Sequence, residues 1–171
     1  ARALSQANAA VVRANRDAGT ESDMGTTLVA SVLRENKLFW ISVGDSRLFI
    51  YHNGSVESIN QEHSYGAELD RKMKQGDISR DQADAEAKKR NMLTSYLGLE
   101  QIPERDNPNA AFDLGPGDKV LLCTDGLTDV MSDSEIASCL QAGDLSAQEK
   151  CELLTKQALE KQRSNQDNVT T

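Results

Sequence analysis

Three aspartates stand where chemistry could be done. Asp45 follows the apolar run Phe39–Val43, in Val43-Gly44-Asp45-Ser46-Arg47. Asp125 follows Val120–Cys123, in Thr124-Asp125-Gly126-Leu127, and Asp167 precedes Asn168-Val169. Each lies at or near a strand-like end, beside Gly or Asn. Rigid strands can converge such groups on one point, where carboxylates repel unless a cation compensates. An all-oxygen Asp site suits a hard ion such as Mg²⁺ or Mn²⁺, and two such ions can activate water and hold a phosphoryl oxygen. On spacing alone two readings stay open: a cation site, or three ordinary turn residues, since Asp favours turns for its own hydrogen bonding.

Other chemistries drop out. A cysteine phosphatase loop needs Arg six positions after Cys, but beyond Cys123, Cys139 and Cys151 lie Asp129, Leu145 and Gln157. No Walker loop, G-x-G-x-x-G or G-x-S-x-G occurs. His52 and His63 are the two histidines, too few for a His-rich zinc site. Three cysteines at no zinc spacing read as reduced core thiols of a cytoplasmic protein.

The elements that must position these aspartates are legible in outline. The 171 residues carry 19 Lys plus Arg and 27 Asp plus Glu, a net charge of −8. That balance argues against nucleic-acid binding, which needs a basic footprint. No apolar run approaches the roughly 20 residues that span a bilayer, so no membrane partner is expected. Hydrophobic residues make up 38% with one Trp, three Tyr and three Phe, enough for a largely aliphatic core.

Leu4, Ala7, Val11, Ala14 and Ala18 recur at helical spacing over residues 3–18, with Gly19 as a stop. Thr26–Arg34, Lys37–Val43, Ser46–His52 and Ser55–Ile59 read as strands of one antiparallel meander, with Asn53-Gly54 as a hairpin turn. Residues 60–91 are too polar for core and read as a small exposed helical lobe. Ala110–Leu114 and Lys119–Cys123 read as two further strands joined by a Gly115-Pro116-Gly117-Asp118 turn. Capping boxes at Ser79, Ser132 and Ser146 open helices, the last with Ala147, Cys151, Leu154 and Ala158 on one face. The order is that of an α+β protein with helices flanking antiparallel sheets. The chain opens at Ala1 inside a helical pattern and closes on an incipient strand from Asn168, so it reads as a fragment of a longer polypeptide.

The motifs occur in a telling order: Met24-Gly25-Thr26-Thr27, Gly44-Asp45-Ser46-Arg47, Leu93-Thr94 with Leu97-Gly98, Thr124-Asp125-Gly126-Leu127-Thr128-Asp129, and Asp167-Asn168. From Met24 to Thr171 the sequence resembles the metal-dependent protein phosphatases, the type 2C Ser/Thr phosphatases, in their bacterial form. The resemblance implies an antiparallel β-sandwich with helices on both outer faces (α-β-β-α), and a helical flap at about residues 61–98, opening at Gln61-Glu62-His63-Ser64. It implies one phosphatase domain over residues 1–171, hydrolysing phosphoserine and phosphothreonine with Mn²⁺ or Mg²⁺ through direct attack of a metal-bridging water. Two core ions are implied, with a third held weakly near the flap. Asp125 and Asp167 match core ligands, and Asp45 matches the aspartate associated with the third ion. Asp129 and Asn168 match supporting positions behind the ligands, and Gly44 and Gly126 allow close backbone approach.

Two parts of the family pattern do not occur in the sequence. One is an N-terminal strand bearing a phosphate-binding Arg and an acidic residue, the expected source of the general acid. The other is an Asp-Gly-Met-Gly-Gly stretch whose aspartate bridges both core ions. Ser95-Tyr96 also stands where bacterial members often have Arg-Ala. The expectation is therefore a phosphatase domain incomplete at its N-terminus, monomeric, cytoplasmic, acting in bacterial signalling on phosphoproteins made by a Ser/Thr kinase. The alternative is a catalytically silent phosphatase-like binding or regulatory module.

Overall fold

A computed structural model describes residues 2–18, 24–161 and 167–171. Gly19, the expected helix stop, lies outside the described residues. The order is α1 (Arg2–Asp17), β1 (Leu28–Arg34), β2 (Lys37–Val43), β3 (Arg47–His52), β4 (Ser55–Ser58), α2 (Tyr65–Gln75) and α3 (Arg80–Ala85), then a 3-10 turn over Ala87–Lys89. There follow β5 (Phe112–Asp113), β6 (Lys119–Cys123), α4 (Asp125–Thr128), α5 (Asp133–Gln141) and α6 (Ala147–Glu160). The fold is the expected α+β, with two antiparallel sheets ordered β1-β2-β5 and β4-β3-β6.

That pairing corrects the single meander. β1 and β2 form one sheet, but the chain turns at Gly44-Asp45 and carries β3 into the other. β3 pairs with β4 (Ile50 opposite Glu57) and with β6 (Arg47 opposite Cys123). β5 is likewise no partner of β6: it pairs with β2, Leu38 opposite Phe112. Both deviations have one cause. A turn signal says that the chain reverses, whereas sheet membership is decided by which faces find a core.

The chain forms two compact units. The first takes the described residues of Ala1–Ser31, Trp40–Asp45 and Gln61–Asn109. Its apolar cluster joins Leu4 and Val11 of α1 to Val43 and Leu97, while Ala14 and Ala18 are exposed. Asn8 pins the helix down, its amide donating to Leu99 O (2.9 Å) and its carbonyl accepting from Gly98 N–H (2.8 Å). The polar lobe folds as α2 and α3. Ser64 caps α2 by accepting from Ala67 N–H, and the Ser79–Gln82 capping box opens α3 as the sequence predicts.

The second unit takes Val32–Phe39, Ser46–Asn60 and the described residues of Ala110–Thr171. Phe49 and Tyr51 of β3 and Leu121 and Cys123 of β6 pack with Leu127, Ile136, Leu140 and Leu154. Asn53-Gly54 turns with positive φ at both residues (46° and 86°), as its hairpin type requires. The boxes at Ser132 and Ser146 cap α5 and α6. The inward face of α6 differs from expectation: Ala147 is exposed, and buried Lys150 stands beside Leu154 and Ala158. The Lys150 ammonium donates to Ala142 O (2.9 Å) and Leu145 O (2.6 Å), so its charge is satisfied where apolar counting puts no lysine.

Candidate metal-binding site

Asp125 is the first residue of α4, directly after β6. β6 ends at Cys123, and Thr124 follows as the N-cap of the short helix, its extended backbone (φ −82°, ψ 166°) letting the chain turn. Thr124 spends its hydroxyl elsewhere. Its Oγ1 donates to Asn168 O (3.2 Å) and accepts from Thr170 N–H (3.1 Å), while its own N–H donates to Thr170 O (3.2 Å). These bonds lay residues 168–171 against the end of β6. The segment does not form the regular strand expected from Asn168.

Gly126 makes the approach possible. A Cβ there would lie 2.9 Å from Asn168 C, nearer still to Asn168 O, and 3.2 Å from Asp167 O. Only a residue without a side chain admits that backbone. Asp167 is held locally, its Oδ1 accepting from Asn168 N–H at 2.7 Å. Asp129 caps α4, with its N–H on Asp125 O at 2.8 Å.

The electrostatics follow from this packing. Burial raises the Asp125 carboxyl above its ordinary range, and the charges of Asp129 and Asp167 raise it further. Asp125 is half-buried, whereas Asp129 and Asp167 are exposed. Like charges gathered around a half-buried carboxylate favour a divalent ion, and their oxygen-only donors fit Mg²⁺ or Mn²⁺. They fit as part of a centre: among the described residues no group of three or more His, Cys, Asp or Glu is set to hold a metal. Burial pushes the neighbouring Cys123 thiol up to about 12.

The structure thus brings Asp125, Asp129, Gly126, Asp167 and Asn168 together in the second unit. Asp45 belongs to the first, half-buried after β2. Gly44 beside it has φ +105°, and a Cβ there would lie 2.7 Å from Thr27 Cβ. His63 is a residue that the sequence reading left without a role. It is fully buried, its N–H donates to Gly44 O (2.9 Å), and its Nδ1 faces Gly44 N–H at 3.2 Å. The signal available was its place in Gln61-Glu62-His63-Ser64, a lone histidine in a polar run.

Comparison with known proteins decides the family. The model of the family described as Protein phosphatase 2C matches residues 1–165. The chain belongs to the protein phosphatase 2C family. Among similar phosphatases 2C, the serine/threonine phosphatase stp of Listeria welshimeri is 32% identical over 147 residues, 86% of this chain and 55% of that protein. The serine/threonine protein phosphatase PstP of Mycobacterium tuberculosis is 30% identical over 69% of this chain and 22% of its own length. The solved S. agalactiae serine/threonine phosphatase has a TM-score of 0.81 at 25% identity, covering 97% of this chain and 64% of that one. A structure of the catalytic domain of PstP in complex with two manganese ions has a TM-score of 0.71 at 28% identity, covering 95% and 63%. The fold is that of these phosphatases 2C. The chain spans about half the length of the curated relatives it matches first.

Proposed function

We propose that this chain is the larger part of a metal-dependent phosphatase domain that hydrolyses phosphoserine and phosphothreonine in proteins, with Mn²⁺ or Mg²⁺. The observation that carries this reading is the meeting of Asp125 and Asp167 across the Gly126–Asn168 backbone contact. On this reading Asp125 and Asp167 hold the core ions, Asp45 belongs to a third ion near a flap built from α2 and α3, and Asp129 stands behind the ligands. Asn168 fixes the Asp167 carboxylate through its N–H. A bound divalent ion would supply an activated water and neutralise charge on the phosphoryl oxygens. The bridging aspartate and phosphate-binding arginine of the family pattern are not among these 171 residues, so the residues alone should turn over slowly.

Substrates would be phosphoproteins, as the relatives' names support; on this reading a Ser/Thr kinase of bacterial signalling makes them. A monomer working in the cytoplasm, without nucleic-acid or membrane partners, agrees with the acidic charge and with the free thiols of Cys123, Cys139 and Cys151. No helix among the described residues is long and apolar enough to cross a membrane. A silent binding module is not favoured, because the relatives carry phosphatase names and the three aspartates are present.

The test is release of phosphate from a phosphothreonine peptide with Mn²⁺, by the 171 residues and by the full-length protein that contains them. The full-length protein should be active, its Asp125→Asn variant should lose at least a hundredfold, and the 171 residues should lag far behind. Undiminished turnover by Asp125→Asn would remove the basis of the proposal.

A further inference from the structure

Away from the carboxylates, within the first unit, α1 and the chain near residues 100–105 enclose a groove of about 550 Å³. Leu4, Val12 and Ile102 contribute apolar surface to it, and Arg13, Arg16 and Arg105 line it, with Glu100 the one acidic residue among its lining. Arg16 is engaged, donating to Glu100 Oε1 at 2.7 Å. Arg13 and Arg105 are exposed, and neither makes an ion pair or side-chain hydrogen bond among the described residues. In a chain of net charge −8, this groove collects an excess of positive charge with two guanidinium groups uncommitted.

The walls are fixed before any ligand arrives. Asn8 clamps α1 to the backbone of Gly98 and Leu99, and Leu4 and Val11 anchor the helix in the apolar cluster. From Leu4 to Arg16 the helix rises about 18 Å, at roughly 1.5 Å per residue. An extended peptide at about 3.3 Å per residue covers that length with five or six residues. Guanidinium forks match carboxylates in two-point hydrogen bonds. An apolar floor beside charged rims suits a strand whose side chains alternate.

We propose that this groove is a docking site for a short acidic peptide segment of a partner protein, lying extended along α1. Its carboxylates would sit on Arg13 and Arg105, and an apolar side chain between them would rest on Val12 and Ile102. Charge complementarity selects the occupant: the apolar floor gives a purely polar polyanion nothing to bury, and a basic segment would meet two uncommitted cations.

The test is fluorescence anisotropy on the full-length protein that contains these residues, with a labelled hexapeptide alternating acidic residues with leucine. A peptide carrying the corresponding amides is the control. The acidic peptide should bind at least tenfold more tightly than the amide peptide, and the preference should shrink as salt rises. R13E/R105E should weaken acidic-peptide binding at least tenfold, and R13K/R105K should retain most of it. Should the reversed pair fail to fold by circular dichroism, R13Q/R105Q carries the same expectation. Equal binding of the two peptides, or an unchanged affinity in the folded double variant, would overturn the proposal. The readout involves neither metal nor phosphate release, so it stands apart from the phosphatase reading.

Discussion

Gly126→Ala is the sharpest perturbation of the carboxylate site. In a helix, Gly→Ala ordinarily stabilises by about 1 kcal/mol, so propensity alone expects a gain. The structure expects the opposite sign. The new methyl would lie 2.9 Å from Asn168 C and closer to its oxygen, and these are backbone atoms that cannot rotate aside. Overpacking of this kind costs about 1–3 kcal/mol. The segment could instead lift off, losing the three bonds that tie it to Thr124; at about 1 kcal/mol each this loss is also on the order of 3 kcal/mol. With an overlap this close at the upper end of that range, either route nets about 2 kcal/mol of destabilisation once the helix gain is subtracted. With a urea slope of about 2 kcal/mol/M, the midpoint should fall by about 1 M. Mn²⁺ binding, followed by the loss of free-ion paramagnetic signal, should weaken at least tenfold because Asp167 leaves Asp125. Gly143→Ala is the matched control: a Cβ there meets nothing within 4 Å, and its midpoint should hold or rise slightly. An unshifted midpoint and unchanged Mn²⁺ affinity in Gly126→Ala would refute the idea that this contact builds the site.

Two further effects follow from the same geometry. Gly44→Ala should destabilise by about 2 kcal/mol or more, since it combines a left-handed φ of +105° with a contact on Thr27; a urea midpoint equal to that of the parent would contradict it. Glu135 accepts from Lys161 Nζ (2.6 Å) and from Ser132 N–H (2.8 Å), and these partners lower its carboxyl from 4.5 to about 2. A lowered folded-state value stabilises the protein above the unfolded value, so that contribution should fade as pH falls from 4.5 towards 2. Glu135→Gln should flatten this part of the acid unfolding curve relative to the parent, more visibly at low salt because the pair is exposed. Superimposable acid limbs for the two proteins would argue that the pair contributes nothing.

Local chemistry was legible where one turn of chain contains its own reason. The helix over residues 2–17, the capping boxes at Ser79, Ser132 and Ser146, and the Asn53-Gly54 turn need only neighbouring residues to form, and all are present. Sheet membership was not legible, because β2 and β3 are separated by a turn that looks like any other reversal. Only burial decides that one strand joins β5 and the other β6. Lys150 escaped for a different reason: its ammonium donates hydrogen bonds to two carbonyls of the preceding segment, and hydrophobic periodicity has no symbol for a satisfied cation. For the site, motif order marked Asp125 and Asp167, but their meeting depends on backbone fit at Gly126 and bonds from Thr124, neither of which spacing reveals.

The manner of that meeting says something about what the site is for. Asp125 is partly desolvated and sits in the field of two more carboxylates, an arrangement that costs stability unless something positive arrives. The forces holding it are not ionic. They are a glycine's missing side chain and the hydroxyl and amide of one threonine bonded to the backbone of residues 168 and 170. Backbone bonds and steric fit do not depend on whether the carboxylates are charged, so the scaffold can hold the repulsive set together ahead of a cation. A fold selected for stability alone would set a cation against Asp125, as it sets Lys161 against Glu135 and Arg90 against Asp70. The charges that raise the Asp125 carboxyl are those of two more carboxylates, Asp129 and Asp167, and that contrast within one small protein is the physical argument for a bound ion.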